Sequence, residues 1–513
     1  MARKTMHRRV VAVLGLMLAL VSCAVGNKAV RAEWAFQRGQ GQEHAGQIEE
    51  ALRSYQEAVR LRPEYTEPHR RRAILLAARG EGAQLHQEYR AWLDRRPESP
   101  VFHYLYGRLL EDTVSQLVEF DRAIALDPNY YWGHYGRAYL LANEGKIEQA
   151  IRAFEAARDI RPNRPRPYMF LGYLYTLEGK LDAAIGSYHD AVRLNPRLAV
   201  GYQRLASLYV QLGEFLLAIE AYRNAAQLDP QDAQSRVYLG NLLKATEDLD
   251  GAVEALQSAV EIQPGFADAW RNLGVIHHER GELESASAAY ERAAEFAPDS
   301  SVVAYLLGVV RLRQGKYDVA IAAFQRVIRI EPEQGRAYYF LGEIARRRGD
   351  HHQAAAAYER ATEFLAPHPE VYYRLGRAYA AVGKYPEAAS ALERSVHLLE
   401  EVPEGAAGRA PPRGEGGLAL DIPPPPDLAR AYSWWGQVLV RIGNLSAAEM
   451  AYQKAVTHRP KMPEPHRALG EIYERRGETQ RAITVYQSYL QLAPDGAVAE
   501  QVRRRLEVLQ GAQ

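Results

Sequence analysis

Cysteine is almost absent from this sequence, which contains one such residue, Cys23, in 513. A chain with a single thiol forms no internal disulfide and builds no cysteine-rich zinc site. Charge of one sign is also scarce, because the formal net charge is +1. Removal of residues 1–22, which carry four basic side chains and no acidic one, would leave about −3. Such weak acidity argues against nucleic-acid binding, which relies on a basic surface.

The motifs of common enzyme classes are missing as well. The sequence has no phosphate-cradling glycine loop, no His-Glu-x-x-His metalloprotease motif and no nucleophile elbow. The pairs His277–His278 and His351–His352 lack the acid or cysteine cluster that would complete a metal site. Asp248 and Asp250 look like a glycosyltransferase acid pair but fall in a predicted turn. We therefore expect no enzymatic activity, no metal and no cofactor.

Long hydrophobic runs are confined to the N-terminus. Residues 10–21 form a continuous apolar stretch that follows a patch containing Arg3, Lys4, Arg8 and Arg9. The stretch is short for a membrane-spanning helix, which needs ~20 apolar residues. A basic region followed by a short apolar core is typical of a secretory signal. The pattern predicts a signal peptide over residues 1–22.

The residues after this run, Leu20-Val21-Ser22-Cys23, resemble a bacterial lipobox. The resemblance implies cleavage before Cys23, a lipid on its sulfur and a lipidated tether over residues 23–31. Two alternatives remain open: an ordinary cleaved signal that ends at Ala32, and an uncleaved anchor. Ala24, where an aspartate would favour the inner membrane, resembles enterobacterial signals for the outer membrane. We expect a cell-envelope lipoprotein of the outer membrane that faces the periplasm.

The remaining sequence repeats with a period of 34 residues. This step separates Pro128, Pro162, Pro196, Pro230, Pro264, Pro298 and Pro332, and also Pro460 and Pro494. A fixed period of this length indicates stacked structural repeats. Counting outward predicts about eleven repeats over residues 32–400 and two more over residues 429–494. The second and third are degenerate, and we place a three-residue deletion of the third in the turn between its helices. Residues 495–513 are predicted to form a C-terminal capping helix.

One repeat, residues 267–298, shows the pattern in full. Helical spacing places Gly274 on the buried face of a first helix, which Gly281 ends. A second helix follows with Ala286 and Tyr290 on its buried face, so that the small residues let the two helices approach. These positions resemble the tetratricopeptide repeat (TPR) consensus. The resemblance implies an all-α superhelical solenoid of paired antiparallel helices.

The period is interrupted over residues 401–428. This segment is rich in proline and glycine and is predicted to be a disordered loop. Residues 423–426 are four consecutive prolines, which favour an extended polyproline helix. The segment is either a tolerated insertion, a partner motif or a hinge before the last two repeats.

The TPR resemblance implies that the first helix of each repeat lines a concave groove with positions 2, 5, 9, 12 and 13. At position 5, tyrosine recurs in three successive repeats as Tyr305, Tyr339 and Tyr373. The arginines predicted to lie alongside are Arg313, Arg336, Arg346, Arg347 and Arg377. Rigid aromatic residues beside arginine are typical of protein interfaces, and the arginines favour partners with extended acidic segments. In the alternative reading, the tyrosines pack between helices and the arginines solvate the surface.

A second groove candidate is nearly uncharged. It consists of Trp132, Tyr135, Tyr139, Met169 and Tyr173. Aromatic rings in this arrangement also suit the stacking of sugars. The sequence thus predicts a membrane-tethered scaffold or adaptor that binds partner proteins in cell-envelope assembly or export. The alternatives are a glycan-binding module and an accessory subunit of an envelope enzyme.

Overall fold

The computed structural model describes residues 27–401, 422–423 and 426–511. The predicted signal peptide, Cys23 and most of the predicted loop over residues 401–428 lie outside the described residues. Within those residues the chain forms 27 α-helices and no strand. The all-α prediction is therefore confirmed.

The helices fall into two compact units, which divide after Pro230. The N-terminal unit contains twelve helices. They are α1 (Lys28–His44), α2 (Ile48–Leu61), α3 (Thr66–Ala78), α4 (Ala83–Arg95), α5 (Pro100–Gly107), α6 (Thr113–Leu126), α7 (Tyr131–Asn143), α8 (Ile147–Ile160), α9 (Pro165–Leu177), α10 (Leu181–Leu194), α11 (Ala199–Gln211) and α12 (Phe215–Leu228).

The C-terminal unit contains the remaining helices of the described chain. They are α13 (Ala233–Ala245), α14 (Leu249–Ile262), α15 (Ala267–Glu279), α16 (Leu283–Phe296), α17 (Ser301–Arg313), α18 (Tyr317–Ile330), α19 (Gly335–Arg347), α20 (His351–Phe364), α21 (Pro369–Ala381), α22 (Tyr385–Glu400), α23 (Leu428–Arg441), α24 (Leu445–His458), α25 (Pro463–Arg475), α26 (Thr479–Leu492) and α27 (Ala499–Gly511).

Consecutive helices pack in pairs, with an odd-numbered first helix and an even-numbered second helix. Within each unit, a pair also contacts the pair that follows it, so that the packing is that of a repeat solenoid. The helix α27 has no partner of its own and packs against α26. Its Val502 is buried in the C-terminal hydrophobic cluster, which Val498, Leu506 and Leu509 also contact.

Close approach of the paired helices depends on a glycine in the first helix. A Cβ added at Gly274 would lie 2.5 Å from ring carbons of Tyr290, which is fully buried in α16. The same arrangement joins Gly172 to Tyr188 and Gly342 to Tyr358. Any side chain at these glycines would have to push the second helix away. The predicted role of the small residues in helix pairing is therefore confirmed.

The turn between the paired helices needs a left-handed residue. Gly281 supplies it with a φ of 76°, as the sequence predicts, and ten other glycines take this conformation in their own repeats. In the repeat formed by α13 and α14 the equivalent residue is Glu247, with a φ of 67°. Among the described residues, it is the only non-glycine with a positive φ.

Neighbouring repeats are also linked by a hydrogen bond that the sequence analysis did not predict. The carbonyl of the proline that ends one repeat accepts a hydrogen bond from a ring side chain six residues later, in the next first helix. The donors are His69, His103, His134, Tyr168, Trp270 and His466, at 2.8–3.1 Å. The bond satisfies a carbonyl that the preceding helix leaves without an intrahelical partner. The sequence contains a signal for this bond, because a ring side chain recurs six residues after the proline that ends a repeat.

Two local expectations need correction. The helix α1 begins at Lys28. Residues 28–31, which were predicted to belong to the tether, are therefore part of this helix. The deletion in the third repeat shortens its first helix, α5, to 8 residues, whereas the turn before α6 is longer than in other repeats. The loss falls there because α5 keeps its buried half: Phe102 and Tyr104 remain in the core.

None of the described helices is long and apolar enough to cross a bilayer.

Candidate functional site

The three predicted groove tyrosines do not form an exposed ladder. Tyr339 is fully buried and Tyr373 is 3% exposed, while Tyr305 is partly buried. The rings of Tyr305 and Tyr339 both contact Phe340, at centroid distances of 5.9 and 5.4 Å. The tyrosines thus pack between helices, as in the alternative reading. Tyr339 and Tyr373 therefore offer almost no surface to a partner.

The reason is a buried ionic cluster between α19 and α21. Glu343 and Glu370 are 6% and 2% exposed. Arg374 bridges them, with its Nε 2.6 Å from the Glu370 carboxylate and 3.6 Å from that of Glu343. Arg346 pairs with Glu343 at 2.8 Å, and Tyr358 donates its hydroxyl to the same carboxylate at 2.5 Å. Arginine and carboxylate charges therefore neutralise each other within this face.

The two carboxyl groups of the cluster respond differently to their surroundings. Burial raises the pKa of Glu370 above its usual value, and Arg374 only partly opposes this effect. Burial also acts to raise the pKa of Glu343, but the hydrogen bonds from Arg346 and Tyr358 and the charge of Arg374 outweigh it and lower the pKa. The cluster is consequently a structural element of the array.

The other predicted arginines of this face are dispersed. Arg377 lies over the rings of Tyr373 and Trp434, at 5.6 and 4.4 Å from their centroids. Arg313 and Arg347 are exposed at the ends of their helices, and Arg336 is half-buried. The structure thus brings Arg346 and Arg377 into the packed interior of the face and leaves Arg313 and Arg347 outside it.

The C-terminal end of the predicted loop occupies part of the same face. A cleft of about 560 Å³ lies between α21 and α23, with Tyr373, Arg377 and Trp434 among its lining residues. Pro423 and Pro426 line it too, and Ile422 is buried in the hydrophobic cluster of the C-terminal unit. Part of the predicted partner groove is therefore already covered by the chain itself.

The second groove candidate is a connected aromatic surface in the N-terminal unit. Trp132 meets Tyr135 edge-on at 5.6 Å, and both Tyr135 and Tyr139 contact Phe170. Met169 is half-buried beside them. Tyr139 and Tyr173 are 46% and 47% exposed, whereas Trp132 is 4% exposed. The predicted residues are neighbours, but only the two tyrosines present much ring surface.

Arginines complete this surface, and sequence reasoning missed two of them, Arg70 and Arg108. The guanidinium of Arg70, from α3, stacks on Trp132 at 3.4 Å from the ring centroid. Arg108, which directly follows α5, lies over Tyr104 at 5.8 Å, and the Tyr104 and Trp132 rings stack at 6.0 Å. Arg166, at the exposed start of α9, lies beside Tyr135. We call the surface formed by Arg70, Tyr104, Arg108, Trp132, Tyr135 and Arg166 the Arg–Trp face.

The Arg–Trp face is positively charged without internal compensation. In the described part of the chain, no carboxylate lies within 4 Å of Arg70, Arg108 or Arg166. Glu67, one turn before Arg70 on α3, is engaged by Arg161 at 3.1 Å. Burial lowers the pKa of Arg70, and the charges of Arg108 and Arg166 lower it further. The face is therefore suited to an anionic ligand.

The family comparisons agree with this architecture. Family models described as tetratricopeptide repeat match residues 135–199, 204–266, 305–370, 352–406 and 435–497, and a second such model matches residues 243–309. No curated protein matches the chain.

Three of the similar solved structures each align with part of the chain. MamA is 25% identical over 34% of this chain and 94% of its own, with a TM-score of 0.32. A C-terminal part of a TPR protein from Cytophaga hutchinsonii is 16% identical over 52% of this chain and 98% of its own, with a TM-score of 0.41. PilF from Pseudomonas aeruginosa is 20% identical over 39% of this chain and 90% of its own, with a TM-score of 0.33.

The family models cover more than half of the sequence, and the chain belongs to the tetratricopeptide repeat family.

Proposed function

We propose that this chain is a membrane-tethered scaffold that binds partner proteins during assembly or export in a bacterial cell envelope. TPR arrays serve protein–protein interaction, and family membership supports this part of the proposal. The observation that carries it is the Arg–Trp face, where arginines and aromatic rings meet on the first helices without a compensating carboxylate. Aromatic residues and arginine dominate the binding energy of many protein interfaces.

The tether is proposed from the N-terminal sequence. The lipobox resemblance assigns a lipid to Cys23, and Ala24 favours the outer membrane, with the repeats in the periplasm. At least two acyl chains would be needed for stable anchoring, because a single chain binds membranes only marginally. In this arrangement the scaffold acts at the membrane surface and catalyses no reaction.

The observed face favours protein over glycan as the partner. Sugar stacking requires an open aromatic ring, and the guanidinium of Arg70 already covers Trp132. Tyr139 and Tyr173 remain exposed, and Tyr139 borders the charged surface through Phe170, which also contacts Tyr135. A protein segment uses both features, because its carboxylates pair with arginine and its side chains pack on the tyrosines.

Detergent-phase partitioning of the full chain, expressed in a lipoprotein-processing bacterium, tests the tether. We expect the wild-type protein in the detergent phase and Cys23→Ala in the aqueous phase, because the alanine cannot accept the lipid. The variant Ser22→Ala keeps a small residue before the cysteine and should partition like the wild type. Wild-type protein recovered in the soluble periplasm would contradict the tethered location.

A further inference from the structure

The two faces of first-helix residues differ in how their arginines are neutralised. In the C-terminal unit, Arg346 and Arg374 are paired with the buried carboxylates Glu343 and Glu370. In the N-terminal unit, Arg70, Arg108 and Arg166 have no carboxylate within 4 Å in the part of the chain described. Clustered like charges repel one another, and the free-energy cost of this repulsion is recovered when an anion binds among them.

Arg70 is held in a fixed position within this cluster. Its guanidinium stacks on Trp132, and its Nε is buried without a hydrogen-bond partner in the structure. Arginine has five N–H donors, so stacking leaves the outward donors available for a carboxylate. A preorganised guanidinium loses less entropy on binding than a free surface arginine does.

Arg108 and Arg166 stand on either side of this centre. Arg108 directly follows α5 and Arg166 lies in α9, and the first helix α7 lies between these two helices in sequence. Neighbouring helices pack at about 8–10 Å, so the two backbones are roughly 16–20 Å apart. An extended chain rises ~3.1 Å per residue, and about six residues would therefore pass from one arginine to the other.

We infer that the Arg–Trp face binds an extended acidic segment of a partner protein, whose carboxylates pair with Arg108, Arg70 and Arg166 in succession. This inference rests on the proposed function, because it names the class of partner that the scaffold holds. It moves the expected acidic partner from the Tyr305–Tyr373 region to the N-terminal unit. The reason is that Arg346 and Arg374 of that region are paired with buried carboxylates, whereas Arg70, Arg108 and Arg166 of the Arg–Trp face are not.

The test is a fluorescence-anisotropy titration of the full chain in detergent. The probe is a fluorescein-labelled peptide that alternates glutamate with proline, because proline keeps it extended. The neutral probe replaces every glutamate with glutamine. We expect the acidic probe to bind, the neutral probe to bind at least tenfold more weakly, and added salt to weaken the acidic probe. Free glutamate should compete poorly, since it cannot span the face.

The informative variant combines Arg108→Glu with Arg166→Glu. Neither side chain is buried in the core, so the helices should remain folded. We expect a loss of affinity for the acidic probe of at least tenfold. The matched control combines Arg122→Glu with Arg152→Glu, which changes the net charge equally at exposed positions on α6 and α8 and should retain binding. Circular dichroism of both variants verifies the fold.

Three results would overturn the inference. Equal loss in both double variants would mean that net charge, and not this face, attracts the probe. Tighter binding of an acidic oligosaccharide, oligogalacturonate, than of the peptide would assign the face to a glycan. If the acidic probe fails but partners are still captured elsewhere on the array, the inference is wrong and the scaffold proposal stands. If no protein partner is captured anywhere, the proposed function fails as well.

Discussion

At the scale of single residues, Glu247 carries the clearest strain in the described chain. Its φ of 67° places it in the left-handed region that eleven glycines occupy in other repeats. A non-glycine residue there costs roughly 1–2 kcal/mol, because its Cβ crowds the following carbonyl oxygen. Its exposure in the turn means that no packing compensates for this cost. The repeat of α13 and α14 is therefore less stable than it would be with glycine at position 247.

Glu247→Gly should increase the free energy of unfolding by about 0.5–1 kcal/mol. The gain is smaller than the strain because glycine also increases the entropy of the unfolded chain. Urea denaturation and hydrogen exchange in α13 and α14 measure the effect. The reciprocal variant Gly281→Glu should lose roughly 1–2 kcal/mol, since its turn has a φ of 76°. Stabilities that do not change in either variant would refute the strain argument.

At the scale of the helix pair, packing depends on the fit of one glycine to one ring. Gly274→Leu should destabilise the chain by about 1–3 kcal/mol or more, because even its Cβ would lie 2.5 Å from the Tyr290 ring. The loss should appear first in hydrogen exchange of α15 and α16, since each repeat contacts only its neighbours.

The same substitution at Gly186 provides the control. Gly186 lies within α10, and no atom lies within 4 Å of a Cβ placed there. Leucine favours the helix over glycine by up to about 1 kcal/mol, so Gly186→Leu should be neutral or stabilising. If both variants lose the same stability, the close contact with Tyr290 is not what limits position 274.

Sequence reasoning succeeded where one residue determines the outcome. Gly274 and Gly281 are forced by close approach and by backbone conformation, so their roles follow from residue type and spacing. Tyr339 is different, because it is buried beside Glu343 and Glu370, which Arg374 neutralises through two contacts that periodicity does not reveal.

Sequence reasoning did not identify the Arg–Trp face for a related reason. Arg70 and Arg108 belong to the two degenerate repeats, and the shortened helix α5 disturbs the register from which groove positions are counted. The sequence therefore indicated Trp132 and Tyr135 but neither Arg70 nor Arg108. Only the stacking of Arg70 on Trp132 in the folded unit shows that the surface is charged.

At the scale of the whole molecule, the chain carries two first-helix faces that differ in how their arginines are paired. In the C-terminal face, Arg346 and Arg374 pair with buried carboxylates, and Ile422 and Pro423 cover part of the surface. In the N-terminal Arg–Trp face, Arg166 is exposed and Arg70 and Arg108 are half-buried, and none of the three pairs with a carboxylate among the described residues. This difference supports the proposal of partner binding at the N-terminal unit, with a mainly structural role for the Tyr339 region.

Site-specific photocrosslinking in living cells tests this assignment most directly. A photoreactive phenylalanine analogue replaces Tyr139, which is 46% exposed and borders the Arg–Trp face, or Arg152 on the second helix α8. The account predicts discrete protein adducts from position 139, their loss when Arg108→Glu and Arg166→Glu are added, and none of these adducts from position 152. The same adducts from both positions, or adducts from position 139 that survive the arginine changes, would contradict it.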